Sequence, residues 1–260
     1  MRNFTINDVT ILHEDNSVLV VVKPQNIPSQ ADKSGDTDML TLLKEYVKEK
    51  YNKPGNVYLG LVHRLDRPTG GIMVFAKTSK AAERLSKQIA DGEMSKNYLT
   101  TVVGRPTDSQ GTLVNYLKKN SLTNNVYVAT VGDHNAKRAE LSYIILQSDE
   151  QTSLVKVQLG TGRSHQIRVQ FSAIGCPVYG DVRYGGNVIS AKGANLALWA
   201  YRLEFTHPVS KQRMVFVAYP PQIAPWTRFD VAKHIEVFAD SSYDDGVPLV
   251  AKVNTSDNLD

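Results

Sequence analysis

Short apolar segments of strand length outnumber helical segments in this chain, and this imbalance limits its possible folds more than any other feature. Such runs, bounded by Pro, Gly or charged turn residues, are typical of strands. They occupy residues 10–12, 18–22, 58–62, 72–76, 98–103, 141–146, 154–159, 196–205 and 214–219. A helical spacing of apolar residues is found instead in residues 39–51, 79–90 and 164–174.

The order of these segments predicts the fold class. Strands and helices rarely alternate one for one, which argues against a parallel, doubly wound sheet. We therefore predict an α+β fold in which a large mixed, mostly antiparallel sheet carries a few flanking helices. Asp38 precedes the first helical segment and Ser164 opens the third, and their side-chain oxygens are expected to cap those helices.

Charge is distributed unevenly along the chain. The 260 residues carry a net charge of +4, but residues 236–260 contain six acidic residues and one basic residue. The remaining body has 29 basic and 20 acidic residues, a net charge of +9. A body with this balance is compatible with a polyanionic partner, nucleic acid first among them. We predict one folded domain over residues 1–235 and a loose acidic segment over residues 236–260.

Composition also excludes several classes of protein. No apolar run approaches the roughly 20 residues that a membrane-spanning helix requires, and the first residues lack the apolar stretch of a signal peptide. Cys176 is the single cysteine, so no internal disulfide and no zinc site built on paired cysteines is expected. These features predict a reduced, cytoplasmic protein without a structural metal.

A compact set of polar side chains lies between two predicted strands. Residues 63–71 read His-Arg-Leu-Asp-Arg-Pro-Thr-Gly-Gly. Pro and Gly suffice for a turn. The segment adds four residues that a turn does not need, which are His63, Arg64, Asp66 and Arg67. Functional residues often lie in such connections because rigid flanking elements hold them in place. From residue types alone, a charged surface turn and an active site fit this segment equally well.

A second polar segment follows a predicted strand and opens a predicted helix. Residues 161–170 read Thr-Gly-Arg-Ser-His-Gln-Ile-Arg-Val-Gln. Backbone N–H groups at a helix start, with Arg163 and His165 beside them, favour an anion such as a phosphate. Arg168 lies about one turn further along the same side, from where it could turn inward to pair with a carboxylate. An ordinary basic helix start fits the same pattern.

Together, these segments resemble the RluA-type pseudouridine synthases, which modify uridines in ribosomal and transfer RNA. The main matches are His-Arg-Leu-Asp at 63–66 and Gly-Arg-Ser-His-Gln-Ile-Arg at 162–168. Further matches in family order are Lys-Pro at 23–24, Lys-Asn-Tyr at 96–98, Val-Tyr-Gly-Asp at 178–181, Leu-Trp-Ala at 198–200 and Phe-Thr-His-Pro at 205–208. The resemblance covers nearly the whole basic body, and it implies the pseudouridine synthase catalytic fold for residues 1–235.

The resemblance also implies roles for individual residues. Asp66 would be the essential catalytic aspartate, and Arg168 the arginine that pairs with it. Tyr98 would stack on the target uracil and assist proton removal, and Arg64 would help to displace that base from the RNA stack. The remaining residues expected to contact RNA are Arg67, Arg163, Ser164, His165 and Gln166.

The implied reaction can proceed with one carboxylate. Uridine becomes pseudouridine when the bond between base and sugar breaks, the base turns, and a carbon of the base joins the sugar. Glycosidases that hydrolyse such bonds usually need two carboxylates, but here uracil departs as a stabilised anion and stays bound. Asp66 could attack the sugar carbon or remove the sugar 2′ proton. We expect no metal or organic cofactor, because the step involves no redox change.

Two other functions fit the same residues. An acid–base ribonuclease would use His63 and His165 as base and acid, with the arginines on the phosphate. A non-catalytic RNA-binding protein would need the basic body and Tyr98, but not Asp66. We favour the synthase, in which His63 has a structural role. Its expected partner is ribosomal or transfer RNA, and no membrane and no obligatory protein partner is inferred.

Overall fold

A computed structural model describes residues 4–186, 193–240 and 249–251, with side chains up to residue 235. The chain divides into two compact units. The first comprises Met1–Ser95, Ala200–Pro220 and Val237–Asp260, and the second comprises Lys96–Trp199 and Pro221–Glu236. Most of the predicted loose acidic segment, residues 241–248 and 252–260, lies outside the described residues, so its looseness stays a prediction.

The structure confirms the predicted α+β class. Along the described residues, the strands are β1 (Thr10–Glu14), β2 (Val18–Lys23), β3 (Gly60–Leu61), β4 (Gly70–Ala76), β5 (Ser95–Val103), β6 (Gln110–Lys119), β7 (Val126–Ala129), β8 (Lys137–Ser148), β9 (Thr152–Leu159), β10 (Leu198–Thr206), β11 (Arg213–Ala218) and β12 (Leu249–Ala251). The helices are α1 (Met39–Lys50), α2 (Ser79–Ala90), α3 (Gln166–Ala173) and α4 (Val231–Asp240). Among the described residues, every helix is too short or too polar to cross a bilayer.

In the first unit, β2 lies between β1 and β4 and is antiparallel to both. Strand β3 pairs with β4, and β10 with β11, again antiparallel, whereas β12 runs parallel to β11. Every residue of β2 and β4 is buried. The run Val-Leu-Val-Val-Val of β2 suits a buried strand, but β2 ends on a buried charge, Lys23.

The second unit contains an antiparallel arrangement of strands in the order β5-β9-β8-β6-β7. Its helix α3 packs on this sheet through a small apolar cluster. The cluster contains Leu117, Val126, Ala139 and Val169. Because Val169 belongs to α3 and the other three residues belong to β6, β7 and β8, this cluster fixes the helix that carries Arg168.

The sequence predicted the capping residue of two helices, correctly for α1 and wrongly for α3. The Oδ1 atom of Asp38 accepts the N–H of Thr41 at 3.1 Å, so the predicted cap of α1 is confirmed. The predicted cap of α3 by Ser164 is wrong, because the N-cap is His165 in the left-handed conformation, with φ of 53°. At this turn the side-chain oxygen of Gln166 accepts the N–H of Arg163 at 3.0 Å.

Candidate active site

The segment that contains Asp66 connects β3 to β4 in the first unit. Within it Arg64 is exposed, Leu65 is buried, and Asp66 is partly buried. The N–H of Thr69 donates to the carbonyl of Asp66 at 3.0 Å, which closes a tight turn. The segment is therefore an accessible turn anchored by a buried leucine, as expected for a functional connection.

The end of this turn requires glycine at position 71. Gly71 has φ of +118°, and a Cβ atom there would lie 2.3 Å from the carbonyl oxygen of Ala200. No other residue could adopt this backbone conformation at such a close approach. Gly71 thus places the start of β4, and with it the turn that carries Asp66, directly against the backbone of β10.

Residues 25–29 hold the backbone on both sides of Asp66. The hydroxyl of Ser29 donates to the carbonyl of Leu65 at 2.7 Å and accepts its N–H at 3.2 Å. On the other side, the N–H of Asn26 donates to the carbonyl of Arg67 at 2.8 Å. The side-chain amide of Gln25 also donates to the carbonyl of Pro68, at 3.0 Å. The turn is thereby fixed on both sides of the candidate catalytic residue.

Lys23 adds a buried charge to the same arrangement. Its ammonium group donates to the carbonyls of Pro24 at 2.9 Å, Ile27 at 2.8 Å and Arg67 at 3.0 Å. Burial lowers the pKa of Lys23 to about 7, and the nearby negative charge of Asp66 acts in the opposite direction. The sequence marked Lys23 only as a family match, whereas the structure shows that its side chain joins residues 24–27 to the turn beside Asp66.

Arg67 is held by carboxylates of the preceding loop. Its Nη2 atom donates to both oxygens of Asp32, at 3.1 and 3.0 Å, and its Nη1 atom donates to Asp36. Hydrogen bonds from Ser34 and Arg67 hold the pKa of Asp32 at about 2, so that carboxylate is ionised at neutral pH. The predicted RNA contact of Arg67 would have to compete with these two ion pairs, and it stays a prediction.

His63 has a structural contact in the first unit. Its Nε2 atom accepts the backbone N–H of Val74, in β4, at 3.0 Å. A ring nitrogen that accepts this bond carries no proton, and it would have to break the bond in order to take one up. This contact agrees with the structural role expected for His63.

The second polar segment leads from β9 into α3 in the second unit. Gln166 is buried, and its amide binds the surrounding backbone. The amide nitrogen donates to the carbonyl of Glu140 at 2.9 Å, and the amide oxygen accepts the hydroxyl of Thr161 at 2.7 Å. Gln166 therefore supports the loop from inside.

The other predicted RNA contacts of this segment are more accessible. Arg163 is exposed and donates from Nε to the carbonyl of Arg138 at 3.0 Å. Ser164 and His165 are partly buried.

Arg168 turns inward and pairs with a carboxylate, as the helix position predicted. The carboxylate that the structure shows is Asp181, whose oxygens accept Nε and Nη2 of Arg168, both at 2.7 Å. Both side chains are buried. In the sequence, Asp181 belongs to a family match at 178–181 but has no predicted role. It lies 13 positions after Arg168, and no local sequence pattern predicts a contact between the two side chains. The further pairing of Arg168 with Asp66, implied by the family resemblance, stays a prediction.

Tyr98 is a buried residue of β5, where it lies opposite Val157 of β9. Two positions before it in sequence, Lys96 is partly buried, and this burial lowers the pKa of its ammonium group. The second unit therefore holds Tyr98, Arg168 and the predicted RNA-binding residues 163–166. The first unit holds the predicted site residues of the turn, which are Arg64, Asp66 and Arg67.

Comparison with known proteins identifies the family of this chain. The sequence profile of the RNA pseudouridylate synthase family matches residues 17–173. The chain is 34% identical over 221 residues to ribosomal large subunit pseudouridine synthase D of Zymomonas mobilis, an alignment that covers 82% of this chain and 69% of that protein. It is 33% identical over 227 residues to an uncharacterized RNA pseudouridine synthase of Aquifex aeolicus, covering 82% and 70% of the two chains.

A solved structure supports the fold. The structure of human RNA pseudouridylate synthase domain containing 1 superimposes with a TM-score of 0.67 at 21% identity, covering 94% of this chain and 100% of that chain. With a profile match over residues 17–173 and relatives above 30% identity, the chain belongs to the RNA pseudouridylate synthase family, and within it to the RluA-type enzymes.

Proposed function

We propose that this RNA pseudouridine synthase acts on uridines of large-subunit ribosomal RNA and that Asp66 is its catalytic carboxylate. The observation that carries the proposal is the fixed backbone on both sides of Asp66, where Leu65 and Arg67 are bound by Ser29 and Lys23. A charged surface turn would need no such support. The residues 63–66 also match the family motif.

The substrate is proposed from the relatives. Proteins similar to this chain are named as synthases of the large ribosomal subunit. The excess of basic residues in residues 1–235 supports a polyanionic partner of this kind. We propose that these residues form the catalytic domain, to which residues 249–251 of the acidic segment add strand β12 beside β11. The expected cytoplasmic location remains a prediction.

Four of the site residues have proposed parts in the reaction. Asp66 either attacks the sugar carbon or removes the 2′ proton, and Arg168 holds the carboxylate in one orientation. The target base must leave its stack, which costs a few kcal/mol. Stacking on Tyr98 would offset roughly 1–3 kcal/mol of this cost. Arg64, which is exposed, fills the gap left in the RNA.

The proposal is tested by release of tritium from RNA labelled at carbon 5 of uracil. Wild-type protein should release tritium from large-subunit ribosomal RNA, and Asp66→Asn should lower the rate by about 10³-fold or more. Asp91→Asn is a matched control, because Asp91 pairs only with Lys87 on the surface of α2 among the contacts described. Release from transfer RNA alone would correct the substrate, and full activity of Asp66→Asn would exclude the catalytic role.

The same experiment separates the synthase from a ribonuclease. A ribonuclease would shorten the RNA, whereas a synthase leaves its length unchanged. The contact between His63 and Val74 favours the synthase, because it occupies a ring nitrogen that the ribonuclease would need as a base. We expect intact RNA on a denaturing gel after complete tritium release.

A further inference from the structure

The ion pair between Arg168 and Asp181 is the most thoroughly buried pair of opposite charges described in the second unit. The exposed fractions of the two side chains are 6% and 0%. The two hydrogen bonds run in parallel from Nε and Nη2 to the two carboxylate oxygens, both at 2.7 Å. This two-point geometry fixes the plane and the direction of the guanidinium group, which a single hydrogen bond would not do.

Asp181 is itself held in place by its own turn. Its Oδ1 atom accepts the backbone N–H groups of Arg183 at 3.0 Å and Tyr184 at 3.1 Å. Its carbonyl accepts the N–H of Gly185 at 2.8 Å. Burial alone would raise the pKa of Asp181, but the hydrogen bond and charge of Arg168, together with the two backbone N–H groups, keep this pKa below its ordinary value. The carboxylate is therefore a rigid, charged acceptor.

Tyr184 holds the guanidinium group from a second direction. The guanidinium carbon of Arg168 lies 5.0 Å from the centre of the Tyr184 ring. The Tyr184 hydroxyl accepts the backbone N–H of Val126 at 2.9 Å and lies 2.6 Å from Nδ1 of His165. The backbone carbonyl of Tyr184 accepts the hydroxyl of Ser172 at 2.7 Å. Tyr184 is thus bound to β7 and to both ends of α3.

The two hydrogen bonds to Asp181 determine which edge of the Arg168 guanidinium group points away from this carboxylate. Nε and one hydrogen of Nη2 point at Asp181, so the two hydrogens of Nη1 and the second hydrogen of Nη2 point away from it. We propose that Asp181 is a positioning residue of the synthase, which presents this outer edge of Arg168 to the reacting groups, and that Tyr184 assists it. The inference rests on the proposed function, in which Arg168 orients the catalytic carboxylate.

The decisive experiment measures two quantities for Asp181→Asn, the single-turnover rate of pseudouridine formation and the dissociation constant for the same RNA. Loss of the two-point contact lets the guanidinium group shift, and a misplacement of about 1 Å can cost about 10²-fold in rate. We expect the rate to fall by about 10²-fold and the dissociation constant to change by less than about threefold. A purely structural defect would change both quantities together.

A double-mutant cycle tests whether Asp181 acts through Arg168. Lysine at position 168 keeps the charge but cannot make the two-point contact. In the Arg168→Lys background, Asp181→Asn should therefore cost less than about threefold in rate. An equal cost in both backgrounds would overturn the proposal, as would a weakening of RNA binding as large as the loss of rate.

Two further variants keep the proposal testable if Asp181→Asn does not fold. Tyr184→Leu removes the ring beside Arg168 and should lower the single-turnover rate about tenfold, and an unchanged rate would count against the proposal. Glu204→Gln alters a carboxylate of the first unit that pairs with Arg202 and Arg213, and it should retain the wild-type rate.

The outcomes also separate this inference from the proposed function. Normal turnover by Asp181→Asn, with an active wild-type protein, would overturn the positioning role alone. Absence of pseudouridine with wild-type protein on ribosomal and transfer RNA would overturn the proposed function, and the positioning role with it.

Discussion

The turn around Asp66 and the helix around Arg168 are held in place by different means. On both sides of Asp66 the contacts are made to the backbone, by Ser29 at Leu65 and by Lys23 at Arg67. Arg168 is held by its functional group itself, through the two parallel hydrogen bonds to Asp181. One region therefore fixes the position of a residue, and the other fixes the orientation of a side chain.

This difference fits the proposed roles. A carboxylate that attacks the sugar carbon or removes the 2′ proton needs a fixed starting position and some freedom of its side chain. An arginine that only orients a charge gains from complete immobility, because a preorganised group loses no entropy during the reaction. The comparison predicts that changes to the two regions will differ in how they affect stability and turnover.

The largest effect is expected for Arg168→Ala. Removal of the arginine leaves the buried carboxylate of Asp181 without its partner, which should lower the free energy of unfolding by about 3–5 kcal/mol. We also expect turnover to be lost. Denaturant unfolding and tritium release measure the two effects.

A double variant separates these two effects. Arg168→Met combined with Asp181→Leu replaces the buried pair by apolar side chains and should regain most of the lost stability, but no turnover. Near-normal product formation by either variant would show that Arg168 has no part in the reaction.

A smaller effect is expected for Lys23→Met. This change leaves the carbonyls of Pro24, Ile27 and Arg67 without the ammonium donor, and it should lower the free energy of unfolding by about 2 kcal/mol. Because the turn beside Asp66 loosens, turnover should fall about tenfold. Lys77→Met is the matched control, since Lys77 is a buried lysine of the same unit that pairs with Glu14. It should lose stability but keep its turnover, and equal losses of turnover in both variants would contradict the prediction.

Lys23 also predicts a dependence of stability on pH. Its pKa is lowered to about 7 by burial, whereas an unfolded lysine titrates near 10.4. Between these values the unfolded chain binds more protons than the folded protein does, so the contribution of Lys23 to the free energy of unfolding rises with pH. The stability difference between wild type and Lys23→Met should therefore grow from pH 7 to pH 10. A difference that is constant over this range would mean that Lys23 keeps its proton throughout.

The smallest effect is expected for the loop that binds Arg67. Asp32→Asn combined with Asp36→Asn removes both carboxylates that compete with RNA phosphates for this guanidinium group. RNA binding should tighten by roughly two- to fivefold, with a steeper dependence on salt, while turnover stays nearly unchanged. Asp91→Asn, which changes the net charge by half as much at a site away from Arg67, shows how far the net charge alone affects binding. Unchanged binding in the double variant would indicate that Arg67 serves only to hold the loop of residues 32–36.

Local patterns in the sequence correctly predicted the fold class, the bounds of α2 and the cap of α1 by Asp38. These features depend on residues close together in the chain, through apolar periodicity and capping. Apolar periodicity did not predict strands β6 and β7. In β6 the exposed position 114 is Val, and the neighbouring Asn115 faces inward, where it accepts the amide of Gln170 at 2.7 Å, so the alternation typical of a strand is blurred.

The contacts that hold the candidate catalytic residues join positions that are far apart in the chain. Ser29 binds Leu65 from 36 positions away, Lys23 binds Arg67 from 44, and Asp32 binds Arg67 from 35. The side chains that make such contacts come together only when the chain folds, so no local pattern marks them. The sequence could therefore identify Asp66 and Arg168 by their motifs, but the carboxylate that orients Arg168 and the lysine beneath the Asp66 turn became visible only in the folded protein.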